Sequence, residues 1–497
     1  MIYSVALPST VHKSAINHLL REGGQEDLCF ALWYSSSGKT RTTALVQRLI
    51  LPLDEERRVH GNASFTAAYF ERALGEAIRA KAGLAFMHSH PARGWQGMSH
   101  DDIVAEQGHA AAVKAATGLP FVGLTAGTDE AWSARFWEKI APRTYECRWC
   151  DSVRVIGDKL AFTLHPDLAR LPVFRPELER TISAWGVEIQ SYLANMTVGV
   201  VGAGSVGNIV AEALARMGVG HIRLLDFDRV ELLNLDRLLF ATKEDALRKR
   251  PKVDVLADAL RHSATAGQFS VEPLEWSIVE EEGFRAALDC DVLFSCVDRP
   301  LPRFVLNFIA YAHLIPVIDG GIRIRVNPKT TKLRHADWRA HTVMPSRPCL
   351  ECLEQYDPGL VSVERDGYLD DPSYIAGLPE THSLKHNENV FGFSLSVASF
   401  EVLQFLSLIV APSGLSNPGA QMYHFVTSTL DKDELEECKP TCLFPSYIAM
   451  GDAAPIKVTG RHAVAENARA EQRVTTASQG WFVSLWKWVC SLVQKMK

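Results

Sequence analysis

Residues 198–237 read VGVVGAGSVGNIVAEALARMGVGHIRLLDFDRVELLNLDR, and this stretch decides the fold. An apolar run from Thr197 to Val201 meets a turn containing Gly202, Gly204 and Gly207. A helical pattern follows from Val206 to Met217, and a second apolar run, Ile222 to Asp226, closes the unit. Strand, glycine turn, helix and strand make a βαβ unit. The glycines let the backbone approach a phosphate and let the helix pack close, its N-terminus facing the negative charge. Asp226 ends the second strand, where a carboxylate holds ribose hydroxyls. Up to this point a nicotinamide dehydrogenase fits equally well.

The residues downstream separate the two readings: Asp228, Asn234, Arg237, Lys252, Asp298 and Arg303. Clustered cations with an acidic metal ligand suit a triphosphate and its magnesium, whereas hydride transfer needs no such array. Further strands at Val292 to Cys296 and Pro316 to Ile318 extend the unit into a Rossmann-like, mostly parallel sheet with helices on both faces. The glycine turn, the DFD strand end, the NLxR element, Lys252, the CVD strand end and the paired cysteines together resemble the ThiF/MoeB family, the ubiquitin-activating-enzyme-like adenylyltransferases. The resemblance covers about residues 175 to 450.

That resemblance implies a nucleotide site made by Gly202, Gly204, Gly207, Asp226, Asp228, Asn234, Arg237, Lys252 and Asp298. Asp226 would bind ribose, Asn234, Arg237 and Lys252 would hold the phosphates of ATP, and Asp298 would hold Mg2+. Arg180 would reach across a homodimer as a finger on the γ-phosphate. The family usually has Gln after the Arg, where this chain has Leu238. The reaction implied is attack on the α-phosphate by the C-terminal glycine carboxylate of a ubiquitin-like or sulfur-carrier protein, giving an acyl-adenylate and pyrophosphate. The carboxylate is already ionised, so positioning and charge neutralisation carry the step without a base.

A second signature lies far upstream: His88-Ser89-His90-Pro91, then Ser99 and Asp102. The pair of histidines follows the apolar run Leu84 to Met87, at a strand end where side chains two apart point the same way. Hydrolytic zinc needs three protein ligands and an open position for water, and His88, His90 and Asp102 can supply the three. Glu26, just ahead of the apolar run Leu28 to Tyr34, is the candidate proton carrier, and Ser99 the donor to the oxyanion. This pattern resembles the JAB/MPN (JAMM) metallopeptidases over roughly residues 1 to 140, an α+β domain. Eight residues separate His90 from Ser99 where seven is usual in the family, which leaves Asp101 as a rival ligand.

Ten cysteines would permit disulfides, yet six fall as Cys147-Cys150, Cys349-Cys352 and Cys438-Cys442, spacings that suit a metal better. Cys349, Cys352, Cys438 and Cys442 form CxxC…CxxxC, enough for a closed structural zinc. Members of the ThiF/MoeB family with this site normally carry CxxC twice. Cys147 and Cys150 have no second pair and read as unrelated buried thiols. Activating enzymes that form a thioester carry a nucleophilic cysteine after the first zinc pair. Between Cys352 and Cys438 there is none. The adenylate is therefore expected to pass to an acceptor on another protein, a conjugating enzyme or a sulfur donor, with no thioester on this chain.

At 497 residues the chain exceeds one core. The expected units are a metallopeptidase-like domain (1–140), a connecting helical segment (141–195), an adenylation domain (196–345), a zinc-bound extension (346–450), a linker (451–478) and an amphipathic helix (479–497). Within the extension, Tyr356 to Glu380 reads as an acidic loop and Phe391 to Val410 as an apolar helix. A net charge of -6 gives no basic field for nucleic acid. No apolar run is expected to reach the ~18 residues of a membrane span, no secretory leader is evident, and a reducing cytoplasm is the expected location. On the last helix Phe482, Leu485, Trp486, Val489, Leu492, Val493 and Met496 share a face, with Lys487, Lys495 and Lys497 beside it. It reads as a docking helix, with contact to a membrane surface the sharper alternative. The two signatures together predict a processing and adenylating enzyme of a bacterial ubiquitin-like pathway. The rivals are a sulfur-carrier adenylyltransferase of cofactor or siderophore synthesis and a scaffold that only binds.

Overall fold

The computed structural model describes residues 1–60, 62–169, 175–327, 330, 332–379, 385 and 388–471. The first sheet is built from β1 (Ile2–Pro8), β2 (Leu28–Ser37), β3 (Arg41–Ile50), β6 (Gly83–Ser89), β7 (Phe121–Ala126), β8 (Trp132–Ala141), β9 (Thr144–Trp149), β10 (Ser152–Ile156) and β11 (Leu160–Leu164). Its order is β11-β10-β1-β3-β2-β6-β7-β8-β9, with a separate two-stranded ribbon of β4 (Arg57–His60) and β5 (Asn62–Phe65). Helices α1 (Ser9–Leu19), α2 (Ala67–Ala80) and α3 (His100–Thr117) complete this domain. β6 is buried at every position, as a central strand covered on both faces must be.

Residues 141–195 do not form a helical connector. Their first part is β9, β10 and β11, which finish the N-terminal sheet, and among the described residues helix is confined to a 3-10 turn at Pro176–Leu178 and to α4 (Glu179–Asn195), with a break at Gly186 (φ 87°). The alternation in Thr144–Trp149 is mostly exposed, because β9 is an edge strand, so its apolar signal is weak.

The second sheet runs β14 (Ser270–Leu274), β13 (His221–Leu225), β12 (Thr197–Val201), β15 (Val292–Ser295), β16 (Val317–Val326), β17 (Leu333–Val343), β18 (Gln421–His424), β19 (Thr429–Lys432). The first five are parallel and the last three antiparallel. Strand order reverses between β12 and β15, and ligands of open parallel sheets bind at the carboxyl ends flanking such a switch point. Helices α5 (Ser205–Arg216), α6 (Lys243–Leu247), α7 (Lys252–Ser263), α8 (Glu281–Ala287) and α9 (Pro300–Ala312) follow the strands. The expected acidic loop instead holds α10 (Pro358–Arg365) and α11 (Pro372–Gly377), each started by an Asp that caps a Pro-led first turn. Against the expectation that no apolar run reaches a membrane span, α12 (Phe391–Val410) is long and apolar enough to cross one, and half of its apolar window is buried in the protein.

The two sheets share one interior. Ala6, Leu45, Ile156 and Phe162 of the first pack in the same apolar cluster as Val198, Val200, Leu224 and Ile318 of the second. Buried charge crosses the same boundary: Arg41 pairs with Asp291 at 2.6 Å and Arg154 with Asp291 at 3.2 Å, while Thr40 and Arg41 donate backbone N–H bonds to Asp289. The segment from Gly451 returns to this boundary. Asp452 accepts from the Ser37 amide at 2.9 Å and pairs with Arg285 at 2.6 Å, and a Cβ on Gly451 would lie 2.2 Å from the Ser35 carbonyl oxygen. Residues 451–471 are thus a docked arm rather than a linker, helical over 463–471, with Val458 and Ala465 buried. The amphipathic helix expected over 479–497 lies outside the described residues.

Candidate nucleotide and metal sites

At the carboxyl end of β12 the three glycines divide the labour. Gly202 has φ +96°, and a Cβ there would meet the Cys296 carbonyl oxygen at 2.5 Å. A Cβ on Gly207 would lie 1.9 Å from the Gly202 carbonyl oxygen, so this residue sets how closely α5 packs on the turn. Around Gly204 there is open space within 4 Å of a Cβ. Gly204 also caps α5 with no side chain on its first amides, which leaves a helix N-terminus available to an anion.

Asp226 bridges the strand ends. It accepts from the Ala203 amide and the Asp228 amide, both at 2.7 Å. Burial, then repulsion from Asp228, pushes its carboxyl up to about 6. Lys252, at the start of α7, is drawn in by backbone pairing: its amide donates to the Asp228 carbonyl at 2.9 Å, and its ammonium reaches the Asp228 carboxylate at 2.7 Å. Burial disfavours the ammonium, but Asp226, Asp228 and Asp298 outweigh this and raise its pKa. Asp298, exposed at the end of β15, contributes to that field from the other side of the switch point. Asp226, Asp228, Lys252 and Asp298 therefore converge on one crevice.

The remaining expected residues are placed less directly. Asn234 caps its own turn by accepting from the Glu231 amide at 3.1 Å, and Arg237 binds the Leu233 carbonyl at 2.6 Å and Asp236 at 2.9 Å. Arg303 does not serve as a phosphate clamp here. It turns inward to Asp319 at 3.2 Å, which Arg339 also holds at 2.7 Å. Arg180 is exposed on the first turn of α4, and no described contact joins it to the crevice. One residue of the site escaped sequence reasoning: Asn389, just before α12, donates to the Ser205 hydroxyl at 2.9 Å and so reaches the first residue of α5. Nothing local in the sequence signals that reach.

In the N-terminal sheet His88, His90 and Asp102 come together. The two Nε2 atoms are 3.2 Å apart, and Asp102 oxygens lie 3.4 Å from His88 and 3.3 Å from His90. One ligand atom from each of the three lies within 4.8 Å of the others. Burial would raise the Asp102 carboxyl, yet the two imidazoles hold it well below the usual carboxylate range. The buried His88 Nδ1 has no partner, and the Nε2 side faces the cluster, so the donor set fits a zinc ion. Asp101 is exposed and outside this group. Ser99 caps α3: its Oγ accepts from the Asp102 amide at 3.1 Å, while Asp102 accepts from the Ser99 amide at 2.7 Å. Leu28 pairs with His88 and the Ser89 amide donates to the Asp27 carbonyl; Glu26 lies just ahead of β2, half-buried, and no described contact joins its side chain to this group.

The four sulfurs of Cys349, Cys352, Cys438 and Cys442 also lie within 4.8 Å of one another. Amides of Cys349, Cys352 and Lys439 point at sulfurs at 3.3 Å, and the Tyr311 hydroxyl lies 3.2 Å from Cys438. Thiolates ringed by N–H donors are the donor set of structural zinc. Cys147 and Cys150 belong to no ligand group among the described residues, and burial raises both thiols.

Residues 178–441 match the family model described as the ThiF family. The molybdopterin-synthase adenylyltransferase of Escherichia coli (strain K12) is 30% identical over 166 residues, 33% of this chain and 61% of that protein. The SAMP-activating enzyme E1 of Haloferax volcanii is 30% identical over 178 residues, 35% of this chain and 60% of that protein. The chain thus spans less than two thirds of the length of these curated relatives. A crystal structure of E. coli MccB with MccA-N7isoASN aligns with a TM-score of 0.42 at 18% identity, covering 55% of this chain and 75% of that one.

Proposed function

Since the chain belongs to the ThiF family, we propose that it is an ATP-dependent adenylyltransferase for the C-terminal glycine of a ubiquitin-like or sulfur-carrier protein, joined to a JAMM-type zinc peptidase domain. The observation that carries this reading is the meeting, at one sheet edge, of an uncapped helix N-terminus, Asp226 and Lys252. A nucleotide there rests its phosphates on Gly202 to Gly204 and its ribose hydroxyls on Asp226. Lys252 has donors beyond the one given to Asp228, and it neutralises charge on the phosphates. Magnesium held by Asp298 supplies further charge neutralisation when bound. The carrier's carboxylate oxygen forms a bond to the α-phosphorus as the bond to pyrophosphate breaks.

In the N-terminal domain His88, His90 and Asp102 would hold zinc, which when bound supplies Lewis acidity and a water activated near neutral pH. Ser99 spends an acceptor position on the Asp102 amide, and its O–H is the part that serves a developing oxyanion. Glu26 moves the proton to the leaving amine. This half trims a precursor or removes the modifier, and the ThiF half activates the exposed glycine. The adenylate passes to a separate acceptor: burial raises the thiols of Cys29, Cys290 and Cys296, which leaves them poor nucleophiles.

Exchange of labelled pyrophosphate into ATP, run with a ubiquitin-like protein ending in diglycine, tests the reading. Exchange should require that protein and should vanish in Asp298→Ala; absence of exchange by the unaltered chain with every diglycine-ended carrier overturns it. Cleavage of a carrier bearing a C-terminal extension, lost in His88→Ala, tests the peptidase half. Transfer to lysine rather than to sulfide separates the modifier pathway from the sulfur-carrier one.

A further inference from the structure

The arm after residue 454 lies beyond the span matched to the ThiF family, yet it is fastened to the edge of the nucleotide crevice. The Gly460 amide donates to the Val279 carbonyl at 2.8 Å, and the Thr459 hydroxyl to Glu281 at 2.8 Å. Arg469 binds Glu280 through both guanidinium ends, one of them at 2.9 Å, and the Glu275 carbonyl at 2.9 Å. Its guanidinium sits 3.9 Å over the Trp276 ring. His462 packs against Phe227 with ring centroids 4.8 Å apart. The arm therefore grips two strand ends at once: Phe227, between Asp226 and Asp228 after β13, and residues 275–280 after β14.

Those strand ends are where a nucleoside base must go. Phosphates at the turn after β12 and ribose on Asp226 after β13 define a direction along the sheet edge, and neighbouring strands are ~4.8 Å apart, on the order of one phosphate-to-sugar or sugar-to-base step. The next position in that direction is the end of β14. The Asp226 amide donates to the Leu274 carbonyl at 3.2 Å, so the ribose carboxylate and the start of that wall are already tied together. Arg229 adds a second tie to Glu275 at 2.6 Å.

We infer that residues 455–471 brace the base-side wall of the nucleotide crevice, with Arg469 and His462 as positioning residues for the adenine nucleoside. This rests on the adenylyltransferase reading above, because it takes the crevice to be an ATP site. Arg469 acts through Trp276 and Glu280, and His462 through Phe227. A chain lacking these contacts keeps its phosphate cradle and loses the fixed surface on which the base lies.

Equilibrium binding to the full chain tests this, with ATP and with inorganic tripolyphosphate as probes. Arg469→Ala and His462→Ala should each weaken ATP binding about tenfold, the scale of one cation–π contact or charged hydrogen bond lost, and leave tripolyphosphate binding unchanged. Retained tripolyphosphate binding also certifies that each variant is folded. Arg469→Lys should recover part of the loss. Unchanged ATP affinity in both alanine variants, or equal weakening of both probes, overturns the inference. Failure of the unaltered chain to bind ATP at all overturns instead the adenylyltransferase reading on which it stands.

Discussion

Arg41 on β3 and Asp291 at the entry to β15 form an ion pair at 2.6 Å with both side chains under a tenth exposed, so the two sheets are joined by charge as well as by apolar contact. Removing one partner of a buried pair leaves the other uncompensated, at about 3–5 kcal/mol. Asp291→Ala should therefore lower the urea midpoint sharply, and both sheets should unfold in one transition followed by circular dichroism and by tryptophan fluorescence. Burial pushes the Asp291 carboxyl up, but Arg41 and Arg154 pull it further down, below its ordinary value. For a depressed carboxyl the stabilisation is complete above the unfolded-state value of about 3.9 and is lost as pH falls through the folded value. Acid denaturation below about pH 4 should accordingly be absent as a Asp291-dependent step in Asp291→Asn.

Asp226 behaves in the opposite sense. Its carboxyl is raised to about 6, so the ionised form costs stability as pH rises from the unfolded value through that point, and Asp226→Asn should melt higher than the unaltered chain at pH 8. Two ribose hydroxyls need the ionised, acceptor-only form. ATP affinity should fall as pH is lowered through 6, and this pH dependence should disappear in Asp226→Asn along with most of the binding; calorimetric titration across pH 5 to 8 reads both.

Elemental analysis should find two zinc ions per chain. Cys352→Ala should lose one and unfold at a lower temperature, because the four-sulfur site pins the segment around residue 350 to the one around residue 440. His88→Ala should lose the other with little change in melting, since three ligands close together in the chain cross-link no distant segments. Loss of both ions in either variant would contradict two independent sites.

The glycine turn offers a contrast within six residues. Gly207→Ala places a Cβ 1.9 Å from the Gly202 carbonyl oxygen and should destabilise by about 1–3 kcal/mol. Gly204→Ala meets nothing within 4 Å and should melt like the unaltered chain, while its methyl occupies the space above the helix N-terminus and weakens ATP binding. Thermal melts with and without ATP distinguish the two effects.

What could be read from the sequence was whatever rests on short-range pattern. The βαβ unit is legible because strand, turn and helix occupy twenty consecutive residues from Thr197 to Arg216. The pairing of His88, His90 and Asp102 is legible because a strand end and the next helix start are close in the chain. Arg303 misled, because a cation near the crevice in sequence is spent on Asp319 across the sheet. The arm was missed for a related reason: its hold depends on single contacts such as Arg469 on Trp276, nearly two hundred residues apart, rather than on an apolar stripe. Asp357-Pro358 and Asp371-Pro372 did carry a local helix-start signal, hidden by the acidic composition around them.

The fastening of Asp452 to the Ser37 amide has a consequence for how the chain is made. Synthesis proceeds from the amino end, and the β2–β3 turn leaves the ribosome more than four hundred residues before the carboxylate that satisfies it. Thr40 and Arg41 likewise wait about 250 residues for Asp289 and Asp291. The nascent N-terminal sheet therefore spends most of translation with one edge of its future interior open to water. A chaperone that shields that edge would act on this protein early, and the molecule closes there only when the segment around Asp452 arrives.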